Sequence, residues 1–400
     1  MTGFRLPSAA LARAFSSAEQ RTRAINIAHF ETSMNWGGQE LRIIEQMEWL
    51  LAHGHQVWLI ARPGSKILQE ALRRQLPAFP LVVKGSLHPL TLLRLMKFLR
   101  RHRIELLDCH GNRDAVYAAV CRLLSGLAVV RSRHVTSTVR RGRLSDWVWR
   151  HGNDRIVVTA GAIRDNLCQL GLASAERVDV APAGVDTERF YPERDVSLLR
   201  QELGIPVDHR VVASIGMLRP DKGQLYFVEA AADILRHCGK VTFLLVGEAT
   251  ADTQAYKASV MARIEELGIA GQIRHVGYRH DVECFIALAD VVAIASIGTE
   301  AQTRLVSQCF LSKTSVVATR VGGLPEMIED QRTGLLVDSK APVQMAEAIR
   351  TCLLQPELAA RLADQAYSHA RQFMTSEVMM SAMLETYQRS LRHQVQLASS

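Results

Sequence analysis

From residue 24 onward, short apolar runs alternate with stretches whose apolar residues recur at helical spacing. Runs at 25–30, 57–61, 81–83, 104–109, 129–133, 154–159 and 178–181 read as strands. Between them lie helical patterns at 40–53, 66–74, 92–102, 115–124 and 162–170. In the first of these, Leu41, Ile44, Met47 and Leu51 share one face. The segment 182–206 breaks the rhythm with Gly184, Pro192, Gly204 and Pro206, and suits a linker. A second series follows, with strands at 211–215, 241–246, 273–276, 291–295, 316–318 and 335–337. Its helices fall at 224–237, 255–267, 282–288, 303–311, 324–329, 342–354 and 357–373, and one more runs over 376–389. Strand–helix alternation builds parallel sheets with helices on both faces. The pattern predicts an α/β chain of two Rossmann-like, doubly wound domains, 24–183 and 209–373, joined by a linker at 184–208. Residues 1–23 precede them as an extension, and 374–400 form a terminal helix returning to the first domain. Ligands of such sheets sit beyond the carboxyl ends of the strands, here in a cleft between the domains.

Composition removes several classes. Hydrophobic residues make up 48% and charged residues 22%, which excludes a disordered chain. No run reaches the roughly 18 apolar residues of a spanning helix. The seven cysteines are scattered without a C-x-x-C pair, which fits a reduced, cytoplasmic protein and gives no zinc or redox signature. G-x-G-x-x-G, Walker A and Asp-x-Asp sequences are all absent, so neither a dinucleotide, a P-loop nor a carboxylate-held metal is indicated. The net charge of +8 is unevenly spread: between Arg94 and Arg155 stand 14 Lys and Arg against 5 Asp and Glu. Arg94, Lys97, Arg100 and Arg101 border an apolar helix, and Trp147 and Trp149 lie near Arg143 and Arg150. This band suits an anionic acceptor or peripheral contact with the inner face of the cytoplasmic membrane. No nucleic-acid module accompanies it, so nucleic acid is not an expected partner.

The candidate chemistry lies in turns after strands. Gly216 is followed by Met217, Leu218, Arg219 and Lys222; Gly247 by Glu248; Gly277 by Tyr278 and Arg279; and 296–300 ends at Glu300. Glycine admits close backbone approach. Arg219 and Lys222 offer charge to phosphate oxygens, and a helix opening near Ala301, Gln302 and Thr303 offers free N–H groups to an anion. Together they outline a nucleoside diphosphate site. In the first half, Gly37 and Gly38 precede the first long helix and give a second place for backbone to meet a phosphate or sugar.

These motifs resemble those of glycosyltransferase family 4, the retaining, nucleotide-sugar-dependent enzymes of GT-B fold. The likeness runs from about 24 to 373. Val180 to Asp186 with Phe190, Tyr191 and Pro192 resembles the family's linker. Gly216 to Gly223 resembles its Gly-Arg-Leu-x-x-x-Lys-Gly segment, and 296–338, with Gly322, Gly323, Pro325 and Glu326, its most diagnostic block. The resemblance implies that Lys222 contacts the donor diphosphate and Glu300 the donor sugar. It places Gln308 at the ribose and His134 near the transferred sugar, with Lys222, Glu300 and His134 as the catalytic set. It also implies a nucleotide-sugar co-substrate, a glycan or lipid-linked acceptor such as lipopolysaccharide, and no metal or other cofactor. Three positions depart from the pattern. Met217 stands where the family has Arg, with Arg219 two residues on, and Gln308 replaces the second acid of Glu-x7-Glu. Asp108 likewise replaces the first His of an H-x-H-G segment. The rivals are a GT-B epimerase or glycogen-synthase-like enzyme, and a non-enzymatic nucleic-acid binder.

Overall fold

The computed structural model describes residues 23–85, 87–134, 139–298, 300 and 303–399, with backbone alone at 393 and 395–399. The chain forms two compact units that divide between Asp108 and Cys109.

The first unit carries β1 (Asn26–Glu31), β2 (Gln56–Ala61), β3 (Ala78–Pro80) and all but the last residue of β4 (Leu106–Cys109), with helices Gly38–Ala52, Lys66–Arg73 and Pro89–Arg101. β1 and β2 run parallel in the register Ile27↔Val57, and β2 and β3 in the register Leu59↔Ala78. β3 falls just before the expected 81–83 run. Leu81 extends the pairing by one bond to the Ala61 carbonyl (2.8 Å), and Leu81 and Val83 are buried.

The second unit carries β5 (Ala128–Arg133), β6 (Arg155–Val158) and β7 (Val178–Val180). It then holds the strands of a separate sheet: β8 (Arg210–Ile215), β9 (Val241–Val246), β10 (Ile273–Gly277), β11 (Val291–Ile294), β12 (Ser315–Thr319) and β13 (Leu335–Val337). Strand orders are β3-β2-β1-β4-β5-β6-β7 and β10-β9-β8-β11-β12-β13. In the second sheet the order reverses between β8 and β11, the switch point where doubly wound sheets open a crevice. Successive residues of a strand face opposite sides. Val211 and Ala213 therefore join one apolar cluster, while Val212 joins the other, against Phe227 and Ile234 of the Gln224–Leu235 helix. Both faces are covered, which is why β9 is apolar and buried almost throughout.

Two helices escape the apolar pattern. Arg143–His151 buries only Val148 and Trp149, and Ser197–Glu202, inside the expected linker, buries only Leu199. The last helix extends to Ser399, well past residue 389. It explains why the units do not divide at the linker. Thr386 Oγ1 and Arg389 Nη2 donate to the Asp179 carboxylate on β7 (3.2 and 2.7 Å), and Gln394 Nε2 donates to Asp154 Oδ1 (2.7 Å). Val185 in the linker exchanges backbone bonds with Met374 and Ser376 (3.0 and 2.9 Å), so linker and last helix are zipped together.

Candidate active site

The turns after β8, β9 and β10 pack backbone on backbone. The Gly216 N–H donates to the Val246 carbonyl and the Gly247 N–H to the Gly277 carbonyl, both at 2.8 Å. Gly247 has φ +138°, and a Cβ there would lie 2.0 Å from the Gly216 oxygen. Only glycine allows these turns to meet. The chain beyond Gly216 is pinned from below: buried Gln224 donates from Nε2 to the Met217 carbonyl (2.9 Å).

A 3-10 turn, Pro220–Lys222, then aims Lys222 across to Glu300. The Lys222 ammonium pairs with Glu300 Oε1, which also accepts from Ser296 Oγ (2.9 Å). Ser296 is held in turn, its carbonyl accepting from Thr319 Oγ1 at 2.6 Å. The Glu300 carbonyl accepts from the Gly323 N–H (2.7 Å). Gly322, with φ +54°, presses its Cα face against that same carbonyl. Two residues 78 positions apart are thus locked at the carboxyl ends of β8 and β11, each partly accessible. Thr303 caps the Arg304–Leu311 helix, and Gln308 sits half-buried on that helix. Ala301 and Gln302 lie outside the described residues.

Other expected contacts are already committed. Arg219 clasps the Asp221 carboxylate through Nε and Nη2, which holds that carboxyl below its ordinary range. Arg279 bonds both Asp281 and Glu202 (2.9 Å each), and these carboxylates raise its already high pKa. Its guanidinium ties β10 to the Ser197–Glu202 helix instead of standing open to phosphate. Tyr278 is 68% exposed, edge-on to His280.

Sequence reading missed three partners. Glu248 is held ionised chiefly by Lys257 (2.6 Å), helped by the Ala249 N–H. Glu326 accepts from the Gly161 and Ala162 N–H groups (2.8 and 2.9 Å), capping the Gly161–Gln169 helix that follows β6. This contact links the two Rossmann-like folds, and its only signal was the Pro-Glu motif itself. Glu31, fully buried on β1, accepts from the Ser33 N–H (2.7 Å) and from Nε2 of Gln39, which follows Gly37 and Gly38 in the first turn of the next helix. Those glycines open the Gly38–Ala52 helix, with Gly37 as its N-cap residue.

His134 stacks on His110 with ring centroids 5.7 Å apart, at the ends of β5 and β4. Trp149 corrects an expectation. It is 1% exposed, in the core beneath the buried Arg131 guanidinium at 3.2 Å, so it cannot meet a membrane. Burial lowers the Arg131 pKa to about 10. Helical period turns Val148 and Trp149 inward together, leaving Trp147 half-buried beside His151. Arg94, Lys97, Arg100 and Arg101 are all exposed. No helix among the described residues is long and apolar enough to cross a membrane.

Residues 36–189 match the family model for glycosyltransferase family 4, and residues 209–355 that for glycosyl transferases group 1. The D-inositol 3-phosphate glycosyltransferase of Corynebacterium glutamicum is 34% identical over 341 residues, 79% of this chain and 77% of that enzyme. The enzyme of the same name from Segniliparus rotundus is 32% identical over 242 residues, 60% of this chain, and the match spans only 53% of that relative. Anabaena HepE, solved in complex with UDP, shares the fold with a TM-score of 0.83 at 23% identity, over 91% of this chain and 100% of that one. The chain belongs to glycosyltransferase family 4 and has its GT-B fold.

Proposed function

We propose that the protein transfers a sugar from a nucleoside diphosphate sugar to a hydroxyl of an anionic acceptor, with retained anomeric configuration and without a metal. The observation that carries this reading is the Lys222–Glu300 pair on glycine-walled turns at the switch point. As the diphosphate leaves, negative charge builds on its oxygens, and preorganised cations and N–H groups aimed there are the largest catalytic term. Lys222 and the first N–H groups of the Arg304–Leu311 helix supply them. Donor entry exchanges partners: the diphosphate takes Lys222, and Glu300 turns to the sugar hydroxyls. The acceptor attacks from the face the diphosphate leaves, and the departing diphosphate takes the acceptor proton. Gln308 replaces a carboxylate at the ribose, where an amide still accepts and donates. His134 stands on the acceptor side.

The names of the relatives favour a small phosphorylated polyol as acceptor, and the complex of HepE makes a UDP-sugar the first donor to test. A lipid-linked envelope glycan such as lipopolysaccharide is the second reading. It is favoured by the basic Pro89–Arg101 helix with its exposed Leu90 and Leu93, which suits an enzyme resting on the cytoplasmic face of a membrane. The test is nucleotide release from UDP-, GDP- and ADP-sugars with inositol 3-phosphate or a lipid extract as acceptor. Lys222→Ala loses about 10²–10³ in turnover and keeps the wild-type melting temperature. Near-normal turnover of that variant refutes the assignment.

A further inference from the structure

In the first unit, the aromatic side chains of Trp58, Phe79 and Phe98 wall a pocket of about 540 Å³, whose rim carries Arg94, Lys97 and Arg101. It lies at the outer edge of the sheet, against β3 and the Pro89–Arg101 helix. No carboxylate lines it, and the sequence has no acid between Glu70 and Glu105. The three rim cations have no ion pair among the described residues. The rings pack on one another: Phe79 stacks on Phe98 at 4.2 Å, and Trp58 meets Phe98 edge-on at 5.5 Å. His102 closes the cluster, 4.2 Å from Trp58. With Phe79 and Phe98 stacked on each other, the rings offer a ligand apolar walls, which is all that an aliphatic chain needs.

Beside the pocket the surface is apolar. Val82 is 46% exposed, and Leu90 and Leu93 are 63% and 62% exposed on the first turns of the helix. Leu90, Arg94, Lys97 and Arg101 follow at spacings of four, three and four, one stripe of the helix. Exposed leucines leading into cations match the depth profile of a bilayer surface, with apolar groups below and phosphates above.

We infer that this pocket binds one anionic phospholipid, its phosphate between Arg94, Lys97 and Arg101 and the start of an acyl chain among Trp58, Phe79 and Phe98. This deepens the membrane contact in the reading above by naming a site for a single lipid. It does not depend on the donor chemistry.

The test titrates the intact protein with dihexanoyl phosphatidylglycerol or dihexanoyl phosphatidylcholine, each below its micelle concentration. Tryptophan fluorescence is followed, and Trp58→Phe identifies the responding residue. Phosphatidylglycerol binds and perturbs Trp58. The triple variant Arg94→Ser, Lys97→Ser and Arg101→Ser binds about a hundredfold more weakly, at roughly fivefold per cation. Val82→Trp, which fills the rim without changing charge, abolishes the signal. Equal binding of phosphatidylcholine, equal binding of glycerol 1-phosphate, or unchanged binding by Val82→Trp overturns the inference. Calorimetric binding of UDP, run on the same variants, stays at the wild-type value, because none of these residues lies in the donor turns. A failed lipid site and a failed transferase reading are therefore separable.

Discussion

Gly322→Ala isolates the backbone on which Glu300 depends. The position has φ +54°, and the added Cβ would stand 2.1 Å from the Glu300 oxygen, 2.7 Å from its nitrogen and 2.8 Å from its carbonyl carbon. An ordinary carbon–oxygen contact is about 3.3 Å, so the Glu300 peptide must retreat by about an ångström. That peptide also accepts the Gly323 N–H, and its side chain holds Lys222, so relief is not local. Left-handed backbone costs an alanine about 1–2 kcal/mol, and overpacking adds about 1–3 kcal/mol. The variant is thus destabilised by about 2–5 kcal/mol, by the sum of the two. An ångström of misplacement at a reacting group costs about 10²-fold in rate. The assay pairs a urea unfolding curve with acceptor-dependent nucleotide release under conditions where the variant is folded. Gly239→Ala is the control, since nothing lies within 4 Å of a Cβ there. Turnover of Gly322→Ala within about twofold of wild type, far short of the expected loss, would falsify the role given to the Glu300 peptide.

Three further outcomes are expected. Gln308→Leu weakens UDP binding by about 0.5–1.5 kcal/mol for each lost hydrogen bond, while Gln308→Glu is tolerated; equal calorimetric affinities for all three proteins place the side chain away from the nucleotide. Glu326→Ala removes the cap of the Gly161–Gln169 helix at a cost of about 0.5–2 kcal/mol, read as faster amide exchange at Ile163 and Arg164, and unchanged exchange contradicts the capping role. His55 is buried, and its Nδ1 accepts the Ile25 N–H at 3.2 Å, so it folds neutral with a pKa lowered chiefly by burial and further by His53. Its stabilising contribution is complete above the unfolded value of 6.5 and is lost as pH falls from there through the lowered folded value. Urea midpoints at pH about 7.5 and about 5.5 should differ more for wild type than for His55→Gln, and an equal difference counts against it.

Much of this architecture was legible along the chain. Strands buried on both faces must be apolar throughout, so β8, β9 and β11 stood out, and the helices between them had wide apolar faces. Turn glycines after those strands marked the candidate site, because glycine leaves the backbone open to close approach. Helices with little to bury gave no such signal, and Arg143–His151 and Ser197–Glu202 became visible only in three dimensions. The same limit applied to Trp149. Its arginine neighbours suggested a membrane interface, but which side of a short helix faces the sheet is settled by packing, and packing put it under Arg131. Charge partners were equally out of reach. Composition supplied Arg219, Arg279 and Lys222 as cations for phosphate, yet all three are held by carboxylates, Lys222 by Glu300 from 78 residues away. Periodicity, which repeats over a few residues, fixed the elements. Pairings set by where distant turns come together belong to the tertiary structure alone.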